Sequence, residues 1–216
     1  MKRFAVIGLG HFGSIVAKKL YEEGKEVIAI DSDKEHVQAA SEYSEQAICA
    51  DATDKHILET LELNEVDIAI VSLGERMDVI TLAALHLKEI GVPYLIVKAI
   101  SADHEKILRA IGVDEVIHPE EFAAKSLATR LSLFCVSDFL PILPNYSVVL
   151  LKAPQDFVGK PLLSIENKDV QIVAVQRGKQ VFLVPKDDEI LQNGDMLVLI
   201  GENEQLNDLA EKIAGE

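Results

Sequence analysis

Short apolar runs and amphipathic stretches alternate along the first 135 residues. Residues 3–8 (RFAVIG) form an apolar run rich in β-formers that ends in glycine. Residues 11–23 place apolar side chains at 12, 15, 16 and 20, the spacing of one helical face, and Gly24 closes the stretch. Residues 26–30 (EVIAI) make the next run. It ends at Asp31, and Ser32 or Asp33 caps a helix over 34–44. The alternation predicts further strands over 47–49, 67–72, 94–98 and 115–117, and helices over 54–61, 77–90, 102–110 and 120–134. Most of these strands are continuous apolar runs, as in strands buried on both faces. Strands alternating with helices of this length imply a doubly wound parallel sheet, helices on both sides.

The pattern changes after residue 136. Residues 138–147 (DFLPILPNYS) hold two prolines and no clear period, so 137–146 reads as a hinge or linker. Short strands follow over 147–152, 171–176, 180–184 and 196–200. Arg177-Gly178-Lys179 and Asn193-Gly194-Asp195 mark tight turns. A short helix is expected after Gly159-Lys160-Pro161, and a closing one over 203–213. The chain thus divides into an α/β domain over 1–136, the linker over 137–146, and a small α+β module over 147–216.

Composition narrows the function. The 216 residues are 49% hydrophobic and 26% charged, which describes a folded chain with a real core. The 21 basic and 36 acidic residues give a net charge of −15, spread along the chain. Such a surface repels phosphate backbones and anionic lipid, so nucleic-acid binding is not expected, and any anionic ligand must be held locally. Lys2-Arg3 and the run behind them mimic a signal peptide, but the run breaks at His11 without a cleavage site, and no stretch is apolar enough to span a membrane. A cytoplasmic protein is expected. Cys49 and Cys135 sit in apolar surroundings and read as buried thiols. His36, His56, His86 and His104 read as members of solvated helix faces.

Gly8-Leu9-Gly10-His11-Phe12-Gly13 matches G-x-G-x-x-G, between a strand and a helix, with Asp31 ending the next strand. Gly8 permits the tight turn, Gly10 lets a phosphate approach the backbone, and Gly13 lets the helix pack on the sheet. The helix N-terminus then holds phosphates. Asp31, followed by Ser32, suits ribose hydroxyls and repels a 2′-phosphate. In open α/β sheets ligands sit beyond the carboxyl ends of the strands. Those ends here include Asp51-Ala52-Thr53, Ser72-Leu73-Gly74, Lys98 and Glu120. Asp51 suits the adenine amine with the Ala52-Thr53 backbone beside it; alternatively Asp51 or Thr53 caps the next helix. Lys98 either meets a phosphate or is paired or solvated. Glu120 is either a helix N-terminal acid or a contact to ligand or divalent ion across a subunit boundary. No acid/base pair or substrate domain follows, so an NAD-dependent oxidoreductase is only the alternative reading.

The strand–GLGHFG–helix opening, the Asp ending the second strand, Ala50-Asp51-Ala52-Thr53 after the third and His118-Pro119-Glu120-Glu121 after the sixth resemble an RCK (KTN, TrkA-N) domain. The β-rich end, closing with Val184-Pro185 and the run ILQNGDMLVLIG, resembles its companion, the RCK-C or TrkA-C domain. Together they cover the whole chain. The resemblance implies a Rossmann-like fold followed by an α+β module, in a non-enzymatic cytosolic regulatory subunit of Ktr/Trk-type potassium uptake systems. It implies dimers, octameric rings, docking on a membrane-embedded potassium transporter subunit, and gating by ATP or ADP. An alternative is a nucleotide sensor for a different cation transporter. Gly8, Gly10 and Gly13 would form the phosphate loop, Asp31 would bind ribose, Lys98 would approach phosphates, and Glu120 would join a divalent cation (Mg or Ca) at the dimer interface. ATP-responsive members commonly carry Arg where this chain has His11. An imidazole is a weaker phosphate partner than a bidentate guanidinium, which opens the site to ADP, AMP or NAD(H). Relatives bind cyclic di-AMP in the C-terminal module, and the matching positions are Ile172, Gln176, Arg177 and Pro185. Arg177 is alternatively a turn residue.

Overall fold

The structure is a computed structural model that describes residues 2–132, 136–165 and 170–214. The chain forms two compact units, Met1–Pro119 and Glu120–Glu216.

The first unit is a six-stranded parallel sheet. Its strands are β1 (Arg3–Ile7), β2 (Glu26–Asp31), β3 (Gln46–Cys49), β4 (Ile68–Val71), β5 (Leu95–Lys98) and β6 (Glu115–Ile117), in the order β3-β2-β1-β4-β5-β6. The helices between them are α1 (His11–Glu22), α2 (Lys34–Ala40), α3 (Lys55–Thr60), α4 (Met77–Ile90) and α5 (Ala102–Ile111). Continuous apolar strands are what a sheet covered on both faces requires. Ile7, Ile30, Leu87 and Leu95 pack on one face, and Phe4, Val6, Val27 and Ala17 on the other. Strand order reverses between β1 and β4, which opens a crevice at their carboxyl ends. This is the Rossmann-like doubly wound sheet that the alternation predicts.

Three local expectations fail in this unit. The helix expected over 34–44 ends at Ala40, because the Ser44 hydroxyl donates to the Ala40 carbonyl at 2.7 Å and Ser41 to Gln38 at 2.6 Å, taking carbonyls a further turn would need. Cys49 is exposed, since β3 is the sheet edge and Cys49 is its last residue; Cys135 lies outside the described residues. His104 is fully buried, not solvated. Its Nδ1 accepts the Ile100 N–H at 3.4 Å, and its Nε2 lies 3.3 Å from Thr81 Oγ1.

The second unit begins with α6 (Pro119–Ser132) and continues as a five-stranded antiparallel sheet. Its strands are β7 (Val136–Leu143), β8 (Tyr146–Lys152), β9 (Val170–Arg177), β10 (Gln180–Leu183) and β11 (Met196–Glu202), in the order β10-β9-β11-β8-β7, and α7 (Asn203–Ala214) closes it. Most of the expected linker 137–146 is therefore strand. β7 is an edge strand, where Pro141 interrupts the ladder at small cost, and its register shifts there. Pro144-Asn145 turns the chain into β8, with Asn145 at φ 65° as a type II turn requires. The helix expected after Pro161 is one 3-10 turn, Leu162–Ser164. Among the described residues, no helix is long and apolar enough to cross a membrane.

Candidate functional site

The turn from β1 to α1 is built from glycines for different reasons. A Cβ on Gly8, at φ 92°, would lie 2.2 Å from the Ser72 carbonyl oxygen. One on Gly13 would lie 1.8 Å from the Gly8 carbonyl oxygen. Both positions are closed by the fold's own backbone. A Cβ on Gly10 meets nothing within 4 Å, so this glycine keeps open the space in front of the turn. Gly10 is also the N-cap of α1. It supplies no side-chain cap, and the first helical turn holds no acidic residue. The amide groups there keep their capacity for an anion.

A cleft of about 680 Å³ lies over this turn, within the size range of small-molecule sites. Gly8 and Gly10 form its floor, with Asp31 and Ser32 beyond β2. Asp51 and Thr53 border it beyond β3, and Ser72, Leu73 and Gly74 beyond β4. The Asp31 carboxylate is already occupied: Oδ2 accepts the Leu9 N–H at 2.6 Å, Oδ1 accepts the Asp33 N–H at 2.9 Å, and His36 Nδ1 lies 3.3 Å from Oδ2. Asp51 Oδ1 accepts both the Thr53 N–H and the Thr53 hydroxyl, at 2.8 and 2.7 Å. The backbone bond, then the hydroxyl, hold its carboxyl below the usual carboxylate range. Neither residue caps α3; Asp54 does, accepting from His56 and Ile57.

Other expected residues sit elsewhere. His11 is exposed at the first position of α1 and outside the cleft lining, Phe12 beside it is half-buried, and Ala52 is buried in the core. Lys98 ends β5, half-buried and also outside the lining. Glu120 is a first-turn acid of α6, at the start of the second unit. Among the described residues, no cluster of three potential metal ligands occurs.

The positions marked for a second ligand have structural tasks. Ile172 belongs to the core of the second unit, and Gln176 Nε2 donates to the Gly178 carbonyl at 3.2 Å. Pro185 is half-buried beyond β10. Arg177 is neither a free phosphate contact nor a simple turn residue. Its Nε and Nη2 grip the two Asp195 oxygens at 3.0 and 2.9 Å, Nη1 donates to Glu189 at 3.0 Å, and Nη2 donates to the Ile190 carbonyl at 3.0 Å. Burial works to raise the Asp195 pKa, but the Arg177 hydrogen bonds and the Gln192 amide outweigh it and hold the carboxyl below its ordinary value.

The sequence reading missed six residues of the cleft wall: Asp33, His36, Arg76, Asp78, Val79 and Leu82. Asp33 and His36 follow Asp31 by two and five positions, so a search extended through the first turn of α2 reaches both. Arg76 carries a sharper signal. It is the N-cap of α4, a place where Ser, Thr, Asp or Asn is usual, and it makes no side-chain cap.

Comparison with known proteins follows the same division. Residues 4–119 match the TrkA-N domain model and residues 147–214 the TrkA-C domain model. The chain is 38% identical to Ktr system potassium uptake protein C of Bacillus subtilis, over 93% of this chain and 92% of that one. It is 33% identical to Ktr system potassium uptake protein A of the same organism, over 95% and 94%. Among solved structures, the GsuK channel bound to NAD superposes on the whole chain with a TM-score of 0.67 at 18% identity, the match spanning 40% of that channel chain. The TrkA-N domain of inner membrane protein ybaL from Escherichia coli covers 61% of this chain and 98% of its own, with a TM-score of 0.54 at 18% identity. At such identities these two speak for the fold. A glycine turn at the switch point of a six-stranded parallel sheet, joined to an antiparallel module, with both domain models matched in order, places this chain in the TrkA-N/TrkA-C family.

Proposed function

We propose that the cleft binds an adenine nucleotide, ATP or ADP or NAD(H), and that the chain is a regulatory subunit, not an enzyme. The partner is a membrane-embedded potassium transporter subunit of the Ktr/Trk type. The observation that carries this reading is the uncapped, glycine-opened N-terminus of α1 facing the cleft, with Asp31 beside it. The residues fit a nucleotide: the α1 amide groups hold phosphates, Asp31 and Ser32 the ribose, and Asp51, Ala52 and Thr53 the adenine. Lys98 approaches the phosphates, and Glu120 joins a divalent cation, Mg or Ca, at a dimer interface. The transport context comes from two relatives named as Ktr potassium uptake proteins, alike over more than nine-tenths of both chains. Residues 1–136 sense the ligand and 147–216 form the companion module. The protein works as a dimer and octameric ring in the cytoplasm, against the inner face of the membrane. Cyclic di-AMP in the C-terminal module belongs to the same proposal, at Ile172, Gln176, Arg177 and Pro185, where bonds within the fold take four of the five Arg177 N–H donors.

The coupling is a population shift. A nucleotide changes the transporter only through the difference in its affinity for two shapes of the assembly. One that binds both shapes equally shifts nothing. Calorimetric titration of nucleotide-free, full-length protein with ATP, ADP, AMP and NADH, with and without divalent cation, tests this. ATP and ADP are expected to bind at micromolar concentration, with different heats or assembly states. Tight binding of NADH alone reassigns the cleft to redox sensing, and no binding by any of the four removes the reading.

A further inference from the structure

The cleft has a charge problem. Four aspartates line it, Asp31, Asp33, Asp51 and Asp78, against one arginine, Arg76, the sole Lys or Arg lining it among the described residues. A polyphosphate entering this mouth meets more negative than positive charge. Three of the four carboxylates are already satisfied by backbone amides. Asp31 accepts from Leu9 and Asp33, Asp33 accepts from Glu35, and Asp51 accepts from Thr53. Asp78 differs, because its main partner is a side chain: Arg76 Nε donates to Oδ1 at 3.3 Å, and Nη2 donates to Oδ2. The one guanidinium of the cleft is therefore held by the one carboxylate that needs it.

The hold is weak. Both side chains are largely exposed, at 74% and 68%, and exposed pairs of this kind contribute little. Asp78 lies in the first turn of α4, where the helix N-terminus favours a carboxylate, and it also takes a hydrogen bond from the Val79 amide. It is not left bare if Arg76 departs. Arg76 gains more by leaving, since a guanidinium binds a phosphate through two parallel hydrogen bonds to a more highly charged partner. The loop that carries it passes Gly74, at φ 64°, where a Cβ would meet nothing within 4 Å.

We propose that Arg76 is the phosphate clamp of this cleft, exchanging Asp78 for the terminal phosphate of a nucleoside di- or triphosphate. This rests on the nucleotide reading and adds the group that selects phosphate number. The α1 amides hold the phosphate nearest the ribose, and the Arg76 exchange rewards each phosphate beyond it.

The test is calorimetry on the nucleotide-free, full-length protein with ATP, ADP and AMP, using Arg76→Gln, Arg76→Lys and Asp78→Asn. In Arg76→Gln, ATP and ADP affinity is expected to fall about tenfold or more, the size of a charge-assisted hydrogen-bond pair, while AMP changes by less than about twofold. Arg76→Lys is expected to recover part of the loss, and Asp78→Asn to tighten ATP by freeing the guanidinium. The melting temperature of the nucleotide-free variants is expected to stay at the wild-type value, given the exposure of both side chains. Equal affinities in wild type and Arg76→Gln overturn the clamp and leave the nucleotide reading standing, as does a loss that falls on AMP as heavily as on ATP. Wild-type protein that binds none of the three overturns both.

Discussion

Two glycines three residues apart, Gly10 and Gly13, carry opposite consequences for the same substitution. Gly10 has φ −61°, which any residue adopts, and open space where its Cβ would go. Gly10→Ala is expected to leave stability unchanged or raised by about 0.5 kcal/mol, through the stiffer unfolded chain, while nucleotide affinity falls because the methyl occupies the phosphate approach. Gly13→Ala sets a methyl against a backbone oxygen that cannot yield, and is expected to lower unfolding free energy by about 2 kcal/mol or more. Urea unfolding and calorimetry on both variants separate the two roles; equal loss of stability in both would contradict them. The motif was legible in the sequence, but this division of labour was not, because it depends on Ser72 and Gly8 carbonyls that only the folded sheet brings near.

At the scale of elements, the parallel half was legible because most strands are continuous apolar runs and most helices have a clean start and stop. β7 was not, since Pro141 within it and Pro144 just past its end read as a break. Its position at the sheet edge makes one of them tolerable, and the other starts the turn into β8. Arg76 escaped notice and His36 was read as part of a solvated helix face because one precedes α4 and the other lies in α2, both past the strand ends that were searched. Arg177 was noticed for its charge but not its task, which is to tie the end of β9 to the segment entering β11. Asp195 is 1% exposed, so removing its partner strands a buried carboxylate. Arg177→Ala is expected to cost about 3 kcal/mol, read as a drop in the urea midpoint, and Arg177→Ala with Asp195→Asn to recover part of it. An unchanged midpoint would sink this account.

For the whole molecule, pH acts through groups whose protonation differs between the folded and unfolded chain. Burial, and then the nearby His118, push the His104 pKa below its ordinary 6.5. The groups facing the ring are the Thr81 hydroxyl from α4, the Ile100 amide and His118 at the end of β6. The unfolded chain takes up the proton first as pH falls, so this stability is complete above about pH 7 and is lost as pH drops through 6.5 toward the folded value. Asp51, Asp114 and Asp195 have lowered pKa values, and their contributions persist until pH falls below about 4. The urea midpoint is therefore expected to decline between pH 7.5 and 5 in wild type, in a step that His104→Gln removes. A step that survives the substitution would assign the decline to other groups.

The 2.6 Å bond from the Leu9 amide to Asp31 means that the glycine turn and the Asp31 carboxylate are one mechanical piece before any ligand arrives. A proton in so short a charge-assisted bond resonates far downfield in an NMR spectrum. A sugar hydroxyl that claims the same oxygen loosens the bond and moves the line back. The backbone of Leu9 is thus a built-in spectroscopic gauge of cleft occupancy, readable without labelling or altering the ligand.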